Sequence, residues 1–380
     1  MPLDPFFTER LQTHRRYLFG RAVDRMKTVF RWPWRFGRPS SDRAEVAAAE
    51  LAQTSTGGLA APPAADLELR RAGREPRRKR AQFRRAALNW DRKELRTVGT
   101  AGPDLHIVEH EVAVNGYPSV RVRIYYPFEP AAAERASHSR LPAVLAFFGG
   151  GFRIGGIDYP TTDAAFRRRA AEARIAVVAV DYALAPEHRF PVPVEQGHAA
   201  LTWLFDQALT LGIDPSRIGI AGISAGGNIA AAVTLVNRDR GNLPLRLQML
   251  EVPVVDLTGG HIDYAPTRAM GIPSVLAARE LRSVVKTYLR DRAHAKDPLA
   301  SPLRAESHAD LPPAFVLTAE YDPLRGDGAA YAAALRNAGV EASAVQYLGV
   351  THDVAYFTRV LPAARRWHDD VIAILSSLHE

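Results

Sequence analysis

The stretch that decides the fold reads Arg217-Ile218-Gly219-Ile220-Ala221-Gly222-Ile223-Ser224-Ala225-Gly226-Gly227-Asn228. From Ile218 to Asn237 no charge interrupts the chain, and by length alone the run would suit a membrane span. Gly219, Gly222, Gly226 and Gly227 crowd around Ser224, however, and a strand, a tight turn and a helix opening at Ala225 account for that pattern better. In this context Gly222-Ile223-Ser224-Ala225-Gly226 is a G-x-S-x-G nucleophile elbow. Glycines on either side of the serine let strand and helix approach closely, which leaves the Ser224 hydroxyl exposed at the carboxyl edge of a sheet. Chance also places G-x-S-x-G in other glycine-rich turns; the strand before this one and the helix behind it set it apart.

A serine nucleophile needs a base and an orienting carboxylate, which in this topology follow it in the order acid, then histidine. Of the twelve histidines, His352 lies just past the last apolar run (Ala342–Leu348) and before the C-terminal helical pattern, where a loop can reach back over the elbow. His106, His110, His188 and His198 precede the serine, and His368 and His379 fall in or after the last helix. For the acid, Asp322 follows the run Ala314–Ala319; Asp256, after the preceding run, is the rival, and Asp327 a weaker one. A carboxylate in such a place can also simply cap a helix. Gly149-Gly150-Gly151, beyond the run Pro142–Phe148, and Ala225, at the start of the helix, can supply the backbone N–H donors of an oxyanion hole.

Outward from these motifs, apolar runs at 142–148, 175–181, 217–222, 246–255, 314–319 and 342–348 alternate with helical patterns near 161–173, 193–210, 225–238, 276–291, 325–338 and 356–378. Leu105–Val114 and Val120–Tyr126 alternate like half-exposed strands about an Asn115-Gly116 turn. The whole predicts an eight-stranded, mostly parallel sheet covered by helices on both faces. Residues 257–302 are too long for an ordinary connection and contain a helix of their own, which marks a cap insertion.

With 47% hydrophobic and 24% charged residues the composition is that of a globular protein. The absence of cysteine excludes a disulfide scaffold, a thiolate metal site and a cysteine nucleophile. Residues 1–100 carry 22 Lys and Arg against 11 Asp and Glu, leaving 27 against 30 for the remainder of the 49 and 41. The excess of +8 is therefore N-terminal, which argues against a nucleic-acid partner for the main domain and for an appended basic segment. Phe7, Leu11, Leu18, Ala22, Met26 and Val29 recur at helical spacing with Arg10, Arg16, Arg21 and Lys27 largely opposite, ahead of Trp32-Pro33-Trp34. This basic amphipathic helix suits an anionic membrane surface or packs on its own protein; the residues leave both open. An Ala-, Pro-, Ser- and Gly-rich stretch at 39–66 reads as a flexible linker. A second basic helix, Arg77 to Trp90, presents its arginines as a solvated face. The expected organisation is residues 1–66 as amphipathic helix and linker, 67–104 as an N-terminal cap helix, and 105–380 as the main domain with its insertion at 257–302. No secretory leader is visible, and the expected location is cytoplasmic, with a peripheral membrane contact through the first helix.

These motifs together resemble the hormone-sensitive-lipase family of α/β-hydrolases across about residues 105–358. The resemblance rests on Phe148-Gly149-Gly150-Gly151-Phe152 for the family's His-Gly-Gly-Gly-Phe, Asp181-Tyr182-Ala183-Leu184-Ala185-Pro186-Glu187 for Asp-Tyr-Arg-Leu-Ala-Pro-Glu, and Gly222 to Asn228 for Gly-Asp-Ser-Ala-Gly-Gly-Asn. Ser301-Pro302-Leu303, Asp322-Pro323-Leu324-Arg325 and the position of His352 complete it. It implies an α/β-hydrolase fold with a helical cap and a carboxylesterase working on a small-molecule ester through an acyl-enzyme, with no cofactor and no metal. Ser224 would attack, His352 shuttle the proton, Asp322 hold the imidazole, and Gly150, Gly151 and Ala225 receive the oxyanion. Phe148, Ile223 and Ala183 depart from the family pattern and remove polar contacts around the site; His352 is followed by Asp353-Val354 in place of Gly-Phe. The family resemblance extends to the gibberellin receptor, a binding protein that kept the pocket and lost the histidine. That leaves a weakly active or ligand-binding homologue as the alternative, against which the full set Ser224, Asp322 and His352 speaks.

Overall fold

The computed structural model describes residues 1–12, 64–128 and 140–380. The chain divides into two units, Met1–Thr8 with Arg84–Glu380, and Glu9–Phe83.

The first unit is built on one eight-stranded sheet ordered β1-β2-β4-β3-β5-β6-β7-β8. The strands are β1 (Ile107–Val114), β2 (Tyr117–Tyr125), β3 (Leu141–Phe147), β4 (Ala176–Asp181), β5 (Ile213–Ile223), β6 (Leu245–Glu251), β7 (Ala314–Tyr321) and β8 (Ala342–Thr351). β2 runs antiparallel to both β1 and β4, and every other pair is parallel. The central strands are apolar on both faces because helices cover both: all of Ala143–Phe147 and Ala176–Val180 is buried. The edge hairpin β1–β2 alternates instead, turning at Gly116 with φ 76°.

The helices are α1 (Ala64–Thr97), α2 (Pro160–Ala173), α3 (Val192–Gln207), α4 (Ala225–Arg240), α5 (Ala265–Ala269), α6 (Ser274–Tyr288), α7 (Arg325–Asn337) and α8 (Pro362–Ser376). Helix α4 is buried from Ala225 to Asn237, which explains why its sequence is small and apolar all round. The insertion at 257–302 holds α5, α6 and a short 3₁₀ helix, Arg292–Lys296.

Several boundaries differ from the sequence expectation for physical reasons. Strand β6 ends at Glu251, not at 255, because Val252 turns to φ 40° and Pro253 has no N–H to donate. The basic helix expected at 77–90 extends over Ala64–Thr97, so residues 64–66 are helix, not linker. Its arginines are not all solvated: Arg84 donates to the carbonyls of Arg153 (3.0 Å) and Ala185 (3.1 Å) and to Glu187 (2.7 Å). Further along α1, Asp91 accepts from the Thr161 N–H (3.0 Å) and the Thr161 hydroxyl, tying α1 to the first turn of α2.

At the N-terminus residues 5–12 are helical. Phe7 is buried, in edge-to-face contact with Phe6 and Phe357 at 5.3 Å each. The Asp4 N–H donates to the Gly349 carbonyl (2.8 Å), and the Tyr321 hydroxyl to the Met1 carbonyl (2.8 Å). Phe7 thus belongs to the core of the main unit, not to a face left free for a bilayer. The rest of the expected amphipathic helix, Trp32-Pro33-Trp34 and the linker up to residue 63 lie outside the described residues. Among the described residues no helix is long and apolar enough to cross a membrane.

Candidate active site

Ser224 sits at the junction of β5 and α4 with φ 56° and ψ −115°, a conformation that a non-glycine residue holds only when its surroundings impose it. The surroundings are glycine. A Cβ on Gly222 would stand 2.1 Å from the Gly226 carbonyl oxygen, and one on Gly226 2.3 Å from that of Phe147. Any side chain at either position would push strand and helix apart. The Ser224 N–H donates to the Glu251 carbonyl on β6 (2.8 Å), and the Ser224 carbonyl accepts from Asn228 (3.1 Å).

The structure brings Ser224, His352 and Asp322 together in one chain of contacts. His352, one residue beyond β8, places Nε2 2.9 Å from Ser224 Oγ and Nδ1 2.7 Å from Asp322 Oδ2. Asp322, one residue beyond β7, is buried, and its other oxygen accepts the Leu324 N–H at 2.9 Å. Burial alone would depress the imidazole, but the charge of Asp322, its hydrogen bond and the neighbouring Asp353 outweigh it and raise His352 to about 9.

The two rival carboxylates take other roles. Asp256 accepts from the Thr258 N–H (3.0 Å) and hydroxyl (2.6 Å) and meets His261 Nδ1 at 3.2 Å. Asp327 accepts the N–H groups of Val255 (2.9 Å) and Asp256 (3.0 Å); burial nevertheless pushes it up to about 7. Both brace the loop after β6.

The glycine loop runs beside Ser224: a Cβ on Gly149 would lie 3.5 Å from Ser224 Cβ. Among the described residues, no protein acceptor takes the N–H of Gly150, Gly151 or Ala225. Gly150 cannot be replaced, since at φ 140° its Cβ would fall 1.9 Å from the Ile154 carbonyl oxygen. Phe148, where the resemblance would put a histidine, is buried and stacked on Tyr182 with centroids 4.1 Å apart and planes at 10°. The Tyr182 hydroxyl donates to the Phe148 carbonyl at 2.8 Å. Phe148 thus stacks where the resemblance would put a polar side chain, and Tyr182, the tyrosine of the Asp-Tyr block, holds the loop's backbone through its hydroxyl. On the cap side Phe152 stacks on Tyr288 of α6 at 3.8 Å, and Arg153 pairs with Glu280 at 2.7 Å.

A cavity of about 50 Å³ adjoins the loop, lined by Phe148, Gly149, Ile223, Arg169, Leu95 and Tyr356 among others. A larger cleft of about 460 Å³, between the residues after α1 and the start of α2, is lined by Arg123, Asp158, Asp163 and Arg167 and by none of the three residues above. Tyr182 carried a signal in its Asp-Tyr block. Glu251, whose carbonyl holds the serine, carried one too: it is the lone charge in the apolar run Leu247–Val255.

A strand-to-helix elbow bearing a serine, with an acid and a histidine after the last two strands of a mostly parallel sheet, defines an α/β-hydrolase. A family model described as the alpha/beta hydrolase fold matches residues 144–356, more than half of the chain. Carboxylesterase NlhH of Mycobacterium tuberculosis is 37% identical over 278 residues, 72% of this chain and 82% of its own. Esterase LipI of the same organism is 36% identical over 266 residues, 69% and 79% respectively. The crystal structure of EstE1, a thermostable carboxylesterase cloned from a metagenomic library, superposes with a TM-score of 0.70 at 36% identity, covering 79% of this chain and 98% of that one. The chain belongs to the hormone-sensitive-lipase family of α/β-hydrolases.

Proposed function

We propose that the protein is a serine carboxylesterase that hydrolyses small-molecule esters of short to medium acyl chain through an acyl-enzyme. The observation that carries this is the contact chain Ser224 Oγ, His352, Asp322 at 2.9 and 2.7 Å, set beside a loop with free N–H groups. Relatives named as carboxylesterases at 36–37% identity support the reaction class.

In the reaction, neutral His352 holds its proton on Nδ1, donating to Asp322, and accepts the Ser224 proton at Nε2 as Oγ attacks the ester carbonyl. The oxyanion of the tetrahedral intermediate takes hydrogen bonds from Gly150, Gly151 and Ala225, the last backed by the dipole of α4. His352 returns the proton to the leaving alkoxide, and the alcohol departs. Water, activated by the same imidazole, then releases the acid and restores Ser224.

A panel of p-nitrophenyl esters from acetate to palmitate, run on wild type and Ser224→Ala, tests the reading. Serine-dependent turnover that peaks at short to medium chains is the expected result. Long-chain preference would make the protein a lipase, and no turnover above the Ser224→Ala background would favour the ligand-binding alternative.

A further inference from the structure

Behind the elbow lies a charged group that the reaction scheme does not use. Glu251 is fully buried at the end of β6 and meets two partners from helices on one side of the sheet. The Arg169 guanidinium of α2 lies 2.8 Å from Oε1 and 3.0 Å from Oε2, and the Trp367 indole of α8 donates to Oε2 at 2.7 Å. Arg169 and Trp367 are themselves more than nine-tenths buried. Desolvating both charges offsets most of the attraction between them, so a buried pair of this kind contributes little to stability for what it imposes on position. Among the described residues Arg169 Nε has no hydrogen-bond partner, which further marks the pair as poorly optimised for stability.

Its position is informative. The Glu251 backbone carbonyl accepts the N–H of Ser224, which is held at φ 56°, and the next residue is Val252 at φ 40°. A β-branched residue with positive φ is a conformational outlier. Two strained residues, each just past the end of one of two neighbouring strands, are thus linked through the Glu251 carbonyl. Arg169, held by the same carboxylate, lines the small cavity together with Gly149 and Ile223. Ile223 offers no charge of its own at the elbow, where the resemblance would put an acid.

We propose that Glu251 is a positioning residue for the nucleophile: its carboxylate, clamped between Arg169 and Trp367, fixes the end of β6 so that its carbonyl holds Ser224 in the attacking conformation. The inference rests on the serine-hydrolase reading above. Glu251→Gln keeps the shape and removes the charge. Because misplacement of about 1 Å costs on the order of 10² in rate, kcat should fall roughly 10- to 100-fold while KM stays within about twofold.

The experiment is the rate of labelling by a fluorophosphonate probe together with kcat and KM for a short-chain p-nitrophenyl ester, measured well below the melting temperature with the folded fraction checked by circular dichroism. Arg169→Met/Glu251→Gln, which removes both charges, guards against simple misfolding of the single variant: it should recover melting temperature without recovering kcat. The acid limb of the pH profile should stay in place, since His352 is untouched. A folded Glu251→Gln protein that labels and turns over at the wild-type rate overturns the proposal and leaves a purely structural ion pair. So does a double variant that recovers kcat along with its melting temperature. If the wild type itself fails to label, the serine-hydrolase reading falls, and this inference with it.

Discussion

The raised histidine makes a prediction in which activity and stability move in opposite directions with pH. His352 rises from 6.5 to about 9, chiefly through the charge of Asp322 and its hydrogen bond at 2.7 Å, against the depressing effect of burial. At about 1.4 kcal/mol per unit this favours the imidazolium by up to about 3 kcal/mol. General-base catalysis needs the neutral ring, so kcat/KM should climb about tenfold per unit from pH 7 and level off near 9. The stability sign is opposite. A folded pKa above the unfolded one stabilises fully below pH 6.5, and that contribution is lost as pH rises from 6.5 through about 9. Initial rates on a short-chain ester from pH 6 to 10, corrected for spontaneous hydrolysis, give the first curve, and denaturant melts of wild type and His352→Ala give the second. In His352→Ala the slope of stability between pH 6.5 and 9 should flatten. Asp353→Asn should shift the rate inflection downward by roughly a few tenths of a unit, because that carboxylate is solvent-exposed and its field is screened. A wild-type inflection at or below 6.5 would refute the argument, since Asp322 would then not be stabilising the imidazolium.

Four further outcomes follow from the geometry. Ser224→Ala and His352→Ala should each lower ester hydrolysis by about 10⁴ or more, the loss being non-additive in the double variant, and Ser224→Ala should escape fluorophosphonate labelling. Asp322→Asn should impair kcat far more than Asp256→Asn, whose carboxylate binds Thr258 and His261; the reverse order would move the acid to the loop after β6. Tyr182→Phe, which removes the hydroxyl donated to the Phe148 carbonyl, should lower kcat roughly tenfold with little change in KM, while Phe148→His, which loses the stack, should not raise turnover. Phe7→Ala should cost roughly 3–5 kcal/mol of stability in a denaturant melt, whereas a surface-bound Phe7 would leave stability within about 0.5 kcal/mol.

Most of the fold was legible because its signals are local. A sheet buried on both faces has to be written as continuous apolar runs, and β3 and β4 are such runs. The elbow has to carry glycines where strand and helix touch, and Gly222 and Gly226 are that contact. The order serine, acid, histidine then followed from the order of the strands. What the sequence obscured depends on contacts distant in the chain. Nothing near Arg84 in sequence says that it reaches the carbonyls of Arg153 and Ala185. Nothing near Phe7 says that its partner is Phe357, 350 residues away, and amphipathic spacing reads the same for a face turned to a membrane and one turned to the protein. The end of β6 is hidden for a related reason: Val254 and Val255 are apolar enough to continue a strand, and only the turn at Val252 shows that they leave it.

The departures from the family pattern make the same point at the site itself. Read as single residues, Phe148 and Ile223 are losses of polar contacts beside Ser224. In the structure each stands next to groups drawn from elsewhere in the chain. Phe148 stacks on Tyr182, whose hydroxyl holds the backbone that a histidine would have braced through its side chain. Ile223 borders a cavity with the Arg169 guanidinium, and the carboxylate that answers that charge comes from the adjacent strand at Glu251. What a reacting ester would meet is the position of Ser224 Oγ and of three N–H groups, and several arrangements of supporting side chains can fix those positions equally well. Conversely, the triad geometry does not by itself set the rate. On the proposed function, turnover would depend on how firmly Tyr182 and Glu251 hold two short pieces of backbone, and substitutions at these residues, neither of which would touch the ester, are expected to appear in kcat and not in KM.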